Sequence, residues 1–266
     1  MRLVIVTGDG PEHRYVANAI GARHEVSAIL VCDPPRPRSW HRVLRKSPVR
    51  FFDKALRALY LKAIRDAGAR SESLLRVLGP ESAAFARPDL VTRVGRPKEG
   101  MLARKLAEFS PDVIAVYGTG IIPGEVLALA GSVALNMHTG LSPWYRGVAC
   151  AFWPLVENEP DKVGATVHEC TSAVDGGSIF FSGRAELCRG DDLHAVFARA
   201  VKTGAAGYCE VIDRAAAGNL AGEPQDLSLG REYRGAALGF RAERAARRSL
   251  RRLSGTWPAE RRTPRS

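Results

Sequence analysis

Short apolar runs spaced through the first half of this chain restrict its fold more than any other feature. Leu3-Val4-Ile5-Val6, residues 26–31, residues 90–94, Asp112-Val113-Ile114-Ala115-Val116-Tyr117 and Val133-Ala134-Leu135 are rich in β-branched side chains and too brief for core helices. Such runs suit parallel strands covered on both faces. After the first run, Gly8-Asp9-Gly10-Pro11 turns the chain and sets Pro11 in the first turn of a helix over residues 12–20. The β-α-β order that follows predicts an α/β fold with a doubly wound, mostly parallel, Rossmann-like sheet.

Residues 34–50 form a connection rich in Pro and Arg, and residues 51–78 have helical spacing, so the stretch 34–88 reads as an inserted basic and helical block. A short amphipathic helix is predicted over 99–108, a strand over 133–136 and a helix over 149–156. Residues 165–170 and 178–187 alternate like antiparallel strands. Asp191 and Asp192 open a long helix whose Leu193, Val196, Phe197, Ala200 and Val201 form a stripe suited to covering the sheet. The division expected is a main domain over 1–230 and a basic tail over 231–266.

The formal charge of +11 is uneven. Residues 231–266 hold eleven arginines against three glutamates, and Arg36, Arg38, Arg42, Arg45, Lys46, Arg50 and Lys54 face only Asp53. The remainder is nearly neutral, so charge says little about what the core binds. Within the tail, Ala242, Ala246, Leu250 and Leu253 share one helical face, which fits a solvated helix docked by a thin stripe or contact with a polyanion. The five cysteines lie far apart in an odd count, which indicates neither a disulfide framework nor a zinc site. The N-terminal apolar run is too short for a signal peptide, and no stretch approaches a membrane span. A cytoplasmic protein is expected.

The run at 133–135 ends in Asn136-Met137-His138 and passes into Thr139-Gly140-Leu141-Ser142-Pro143-Trp144-Tyr145-Arg146-Gly147, while Val174-Asp175-Gly176-Gly177 follow in a later loop. Open α/β sheets carry their ligands at such strand ends. The arrangement resembles the folate-dependent formyltransferases, a group that includes methionyl-tRNA formyltransferases, glycinamide ribonucleotide transformylase and sugar N-formyltransferases. Their signature is Asn-x-His at a strand end and an Asp in a later loop. Asn136 and His138 match it, as does Asp175, 37 residues beyond His138. Tyr145-Arg146-Gly147 matches the Tyr/Phe-Arg/Lys-Gly that follows the His loop.

The resemblance covers residues 113–187 well and makes residues 1–230 a formyltransferase-like catalytic domain. It implies that Asn136, His138 and Asp175 are catalytic and that the co-substrate is 10-formyltetrahydrofolate. Gly118, Thr119, Gly120, Ile121 and Ile122, with Thr171, Ser172, Ala173 and Val174, would shape the folate pocket largely through backbone groups. The chain departs from the pattern in having Thr139-Gly140-Leu141-Ser142-Pro143 where the family often has Pro-Ser-Leu-Leu-Pro. It also lacks the usual acidic residue shortly before the catalytic Asp.

Formyl transfer to an amine passes through a tetrahedral intermediate whose oxygen becomes negative. His138 and the Asn136 carboxamide suit that oxygen as donors, and at i and i+2 on a strand they leave one face. Asp175 near His138 would stabilise an imidazolium and relay protons. Gly8, Asp9, Gly10, His13 and Arg14 read two ways: a plain turn into a helix, or amides and two cations that contact a phosphate or the acceptor. Ser142, Tyr145 and Arg146 are the other acceptor-binding candidates. Trp144-Tyr145 and Phe152-Trp153 offer either an aromatic wall or core packing, and His168 is either structural or the counterpart of a histidine in some relatives.

The function expected is N-formylation of a small amine, with nucleotide-linked amino sugars among the acceptors that fit. The alternatives are hydrolysis of 10-formyltetrahydrofolate, formylation of an amino acid or hydroxylamine, and a non-catalytic folate-binding regulator. An ordinary dinucleotide oxidoreductase is discounted because Gly8-Asp9-Gly10 lacks the third glycine of that fingerprint. The 36 residues of the tail are too few for the C-terminal domain of methionyl-tRNA formyltransferases, which argues against tRNA. Neither nucleic acid nor membrane is an expected partner, and a homodimer is left open.

Overall fold

A computed structural model of the chain describes residues 1–35, 45, 47–171 and 173–260. Most of the basic connection expected at 34–50, together with Ser172 and the arginines beyond residue 260, lies outside the described residues.

The elements follow in the order β1 Leu3–Thr7, α1 Pro11–Arg23, β2 Ala28–Cys32, α2 Pro48–Ala63, α3 Asp66–Leu78, β3 Val91–Gly95, α4 Met101–Phe109 and β4 Val113–Tyr117. There follow α5 Gly124–Leu127, β5 Val133–His138, β6 Tyr145–Gly147, α6 Trp153–Val156, β7 Gly164–Glu169, β8 Ile179–Arg184, α7 Leu193–Ala216, β9 Arg231–Tyr233 and α8 Phe240–Leu253. Seven strands make one sheet in the order β3-β2-β1-β4-β5-β7-β8. The first five are parallel, and β7 runs antiparallel to both β5 and β8.

The continuous apolar runs are explained by burial on both faces. Leu3 and Ile5 pack into a layer with Val16, Leu78 and Tyr208, while Val4 and Val6 pack on the opposite side with Leu102, Leu106 and Val126. The long helix α7 begins at Asp192, whose side chain accepts from the amides of His194 and Ala195, satisfying two of the free donors of the first turn. Its Tyr208 hydroxyl reaches the carbonyls of Val116 and Leu135 at 3.1 and 2.8 Å, fastening the helix to β4 and β5. Those are the two strands whose ends carry the site.

Four local expectations shift. The second strand covers 28–32 rather than 26–31. Helical spacing over 51–78 resolves into α2 and α3, broken where Arg65 adopts a φ of +53°. The helix expected over 149–156 shrinks to the single turn α6, because Ala149 sits at φ +60°. The last expected strand ends at Arg184. A small second sheet, β6 paired in parallel with β9, has no counterpart in the sequence reading. The helix expected in the tail forms as α8 and packs Ala246 and Leu250 with Ala151, Leu155, Val196 and Ala200.

Candidate active site

Strand register creates the site. Val116 and Tyr117 of β4 lie opposite Asn136 and Met137 of β5, so the chain leaving β4 at Gly118 runs beside the end of β5. On the other side β7 is antiparallel, with Asn136 opposite His168 and His138 opposite Thr166. Directly paired residues and those two apart share a face, so two imidazoles and a carboxamide leave the sheet together.

Asp175 closes the group from its loop. Its carboxylate lies 3.3 Å from His138 Nδ1 and 3.4 Å from His168 Nε2. The Gly147 amide donates to Oδ2 at 2.8 Å, and Asn136 Nδ2 lies 3.5 Å from Oδ1. Burial opposes ionisation of this acid, but the two histidines and the Gly147 N–H outweigh it and bring its pKa down to about 2. Asp175 holds a φ of +47°, a left-handed conformation that Asp tolerates better than most residues. Gln225 clamps that turn, its Nε2 donating to the carbonyls of Asp175 at 3.0 Å and Gly177 at 2.5 Å.

The other partners set the protons. His138 Nε2 meets the Tyr145 carbonyl at 2.9 Å and, since a carbonyl only accepts, carries a hydrogen. Its Nδ1 then faces Asp175. His168 Nδ1 donates to the Glu169 carbonyl at 2.7 Å, which turns Nε2 toward Asn136 Nδ2 at 3.2 Å. A carboxylate also accepts only, so the Asn136 NH2 must point inward at Asp175 and His168. Its Oδ1 has no protein partner among the described residues.

The remaining candidates fall into three groups. The loop after β4 exposes Gly118, Gly120 and Ile121, whereas Thr119 and Ile122 are buried, and Thr119 Oγ1 bonds to the Gly120 carbonyl. In the Asp175 loop, Thr171 Oγ1 accepts from Ala173 N at 3.3 Å, and Val174 is exposed. After β5, Ser142 is buried with no partner for its hydroxyl among the described residues, and its amide donates to Thr166 Oγ1. Tyr145 is buried too, its hydroxyl donating to Glu159 at 2.6 Å, on the far side from its carbonyl contact with His138. Arg146 gives Nε to the Pro143 carbonyl and Nη2 to that of Leu227.

Around Gly8-Asp9-Gly10 the polar groups are largely matched internally, with Glu12 Oε2 buried and unpartnered among the described residues. Asp9 pairs with Arg14 at 2.7 Å and with Arg93, Arg14 also reaches the Ala83 carbonyl, and Glu12 pairs with Arg70. His13 Nδ1 accepts from Gly10 N, and burial lowers its pKa. Gly118, at φ +65°, packs so closely on this ring that a Cβ would lie 2.2 Å from His13 Nε2. The loop therefore buttresses the β4 exit, with both of its expected cations already committed.

Gly147 is confined likewise: at φ +97°, a Cβ would lie 2.3 Å from the Tyr233 carbonyl of β9. Exposed Trp144, Val148, Val174, Leu227 and Leu229 form an apolar lip around the Gly147 and Asp175 turns, joined by the bond from Arg231 N to the Trp144 carbonyl. Hollows beside Ser132 and Arg2 lie at the opposite end of β5 and β1. Trp153 of the expected aromatic wall instead stacks on Tyr233 in the core, 4.7 Å between centroids.

Sequence reasoning missed Gln225 and left His168 undecided. Gln225 had no signal, lying 50 residues from Asp175 in an irregular segment. His168 did, since alternation on its strand places it on one face with Thr166.

Fold and geometry define an α/β protein of the doubly wound class with a carboxylate, two imidazoles and a carboxamide gathered at a strand end. Residues 1–212 match the sequence model of the family described as Formyl transferase, and the chain belongs to that family. It is 32% identical over 149 residues to a methionyl-tRNA formyltransferase of Chlorobium chlorochromatii, covering 56% of this chain and 47% of that protein. A methionyl-tRNA formyltransferase of Lacticaseibacillus casei is 33% identical over 127 residues, 47% of this chain and 39% of that one. The chain thus spans about half or less of the length of these curated relatives.

Among solved structures, a sugar N-formyltransferase from a Shewanella species superposes with a TM-score of 0.58 at 15% identity, covering 94% of this chain and 88% of that one. Glycinamide ribonucleotide transformylase 1 from Symbiobacterium toebii gives 0.54 at 18% identity, covering 85% and 95%. These likenesses concern the fold.

Proposed function

We propose that this protein transfers the formyl group of 10-formyltetrahydrofolate to the amine of a small molecule. The observation that carries the reading is the Asp175 carboxylate held between His138 Nδ1 and His168 Nε2, beside Asn136. As the amine nitrogen bonds to the formyl carbon, the carbonyl electron pair moves to oxygen, where a hydrogen bond from His138 Nδ1, the ring nitrogen not held by the Tyr145 carbonyl, stabilises it. Asn136 Oδ1 accepts an N–H of the amine and aims its lone pair. The proton lost by the attacking nitrogen is taken by the Asp175 carboxylate and handed to the folate nitrogen as the carbonyl re-forms and the bond from that nitrogen to the formyl carbon breaks.

The exposed Ile121 and Val174 side chains, with loop backbone around them, suit a flat heteroaromatic ring of the donor. The acceptor enters over the apolar lip. A nucleotide-linked amino sugar draws less support, because Arg14 and His13 are committed within their own loop.

The test follows release of free tetrahydrofolate with a panel of amines, nucleotide-linked amino sugars included, and assays formate in parallel. His138→Ala and Asp175→Ala should each slow transfer by at least roughly a hundredfold while folate binding persists. Wild-type rates in either variant overturn the assignment. Formate release without an amine selects hydrolysis, and folate binding without any turnover selects a regulator.

A further inference from the structure

Helix α2 is amphipathic in the inverted sense. Three of its five charged side chains face the protein, Lys54 reaching the Gly235 carbonyl at 2.9 Å, Arg57 the buried Glu243 at 3.1 Å and Asp53 the Arg241 amide at the start of α8, while Arg50 and Lys62 are exposed cations. Its apolar side chains face outward, with Val49 73%, Phe52 66%, Leu56 48% and Leu59 66% exposed. Their spacing of three and four residues makes one continuous ridge.

Beside it runs α8 in the same direction, joined by Tyr60 against Phe240 and by the Arg247 guanidinium over the Tyr60 ring. The outward face of α8 carries a second ridge at the same spacing, the exposed Arg241, Arg244, Arg248 and Arg251. The two helices contain one acid each, Asp53 and Glu243, and both are turned inward and paired. An apolar ridge thus lies next to a purely cationic one, with no exposed carboxylate on either helix.

We propose that the outward faces of α2 and α8 dock this protein on an anionic lipid surface. Such a surface answers both ridges at once, its acyl boundary taking Phe52 and the leucines and its headgroups taking the arginines. A nucleic acid would answer the arginines alone, since phosphate contacts need no aliphatic ridge. A second copy of the chain would offer the arginines no acid from these helices. Docking of this kind is peripheral and consistent with the absence, among the described residues, of a helix long and apolar enough to cross a membrane.

The experiment is co-sedimentation of the full chain with vesicles of phosphatidylcholine alone and of phosphatidylcholine mixed with phosphatidylglycerol. Binding to the mixed vesicles should exceed binding to the neutral ones by at least roughly tenfold. Phe52→Ser with Leu59→Ser, and separately Arg244→Ser with Arg248→Ser, should each weaken it by a similar factor, with circular dichroism unchanged. Equal partition of wild type to both vesicle types overturns the proposal. So does undiminished binding of the Phe52 and Leu59 variant, which would mark a polyanion surface, or a dimer in light scattering that this variant splits, which would mark an interface between copies.

Discussion

Asp175 carries the largest number of constraints of any residue at the strand ends. Its folded pKa of about 2 lies below the ordinary 3.8, so its ionised form stabilises the fold at every pH above 3.8, and that contribution fades as pH falls through about 2. The shift is on the order of 2 kcal/mol. The carboxylate is therefore already ionised across any practical assay range, and an acid limb of kcat above pH 5 should survive in Asp175→Asn, whatever its residual rate. Disappearance of that limb would assign it to Asp175 instead. Gln225 acts at one remove, by holding the left-handed turn from behind. Gln225→Ala should lower kcat by roughly tenfold with little change in KM for folate, and should raise the Asp175 pKa as the carboxyl drifts from its histidines. Carbon-detected NMR titration of that carboxyl checks it, and an unmoved midpoint would reduce Gln225 to a structural role. Of these residues, Asn136 and His138 were legible as a contiguous motif, and Asp175 through its spacing from His138 in the family the chain resembles. Gln225 was not, because two hydrogen bonds to backbone carbonyls leave no pattern in sequence.

Among elements, α2, α3, α7 and α8 are tied by charges as well as by apolar faces. Glu243, nearly sealed, takes Arg57 and Arg247, and Asp66 takes His194 at 3.0 Å and Arg247. Removing Glu243 takes the carboxylate from the half-buried Arg57 and one of two partners from Arg247, so Glu243→Ala should cost up to about 3 kcal/mol, read as a lower midpoint in chemical denaturation. A midpoint within error of wild type would show the network to be solvent-screened. Strand periodicity had marked the sheet well, since residues buried on both faces leave an unambiguous apolar run. It could not mark β6 and β9, each three residues long and paired across 86 positions of chain from Tyr145 to Arg231. Nor could helical spacing reveal which face of α2 turns outward. An apolar stripe predicts burial, and only the charges on α8 reverse it.

For the molecule as a whole, the last helix belongs to the packing of the body. Ala246 and Leu250 cover Ala151, Leu155 and Val196, and Glu260 extends the cover by reaching Arg199 at 2.8 Å. A chain cut before Phe240 should accordingly lose solubility or melt at distinctly lower temperature, as thermal unfolding would show. An unchanged melting point would make residues 240–266 a detachable appendage. The doubly wound sheet and the Asn136 and His138 strand end could be read from the amino-acid order alone, because burial on two faces and a strand-end motif are local properties of neighbouring residues. Which imidazole nitrogen holds a proton, which edge of Asn136 is free, and which cations remain available to a ligand were settled only by the folded chain. Those depend on partners dozens of residues away, and hydrogen bonds and ion pairs are decided by distance in space, to which sequence separation is no guide.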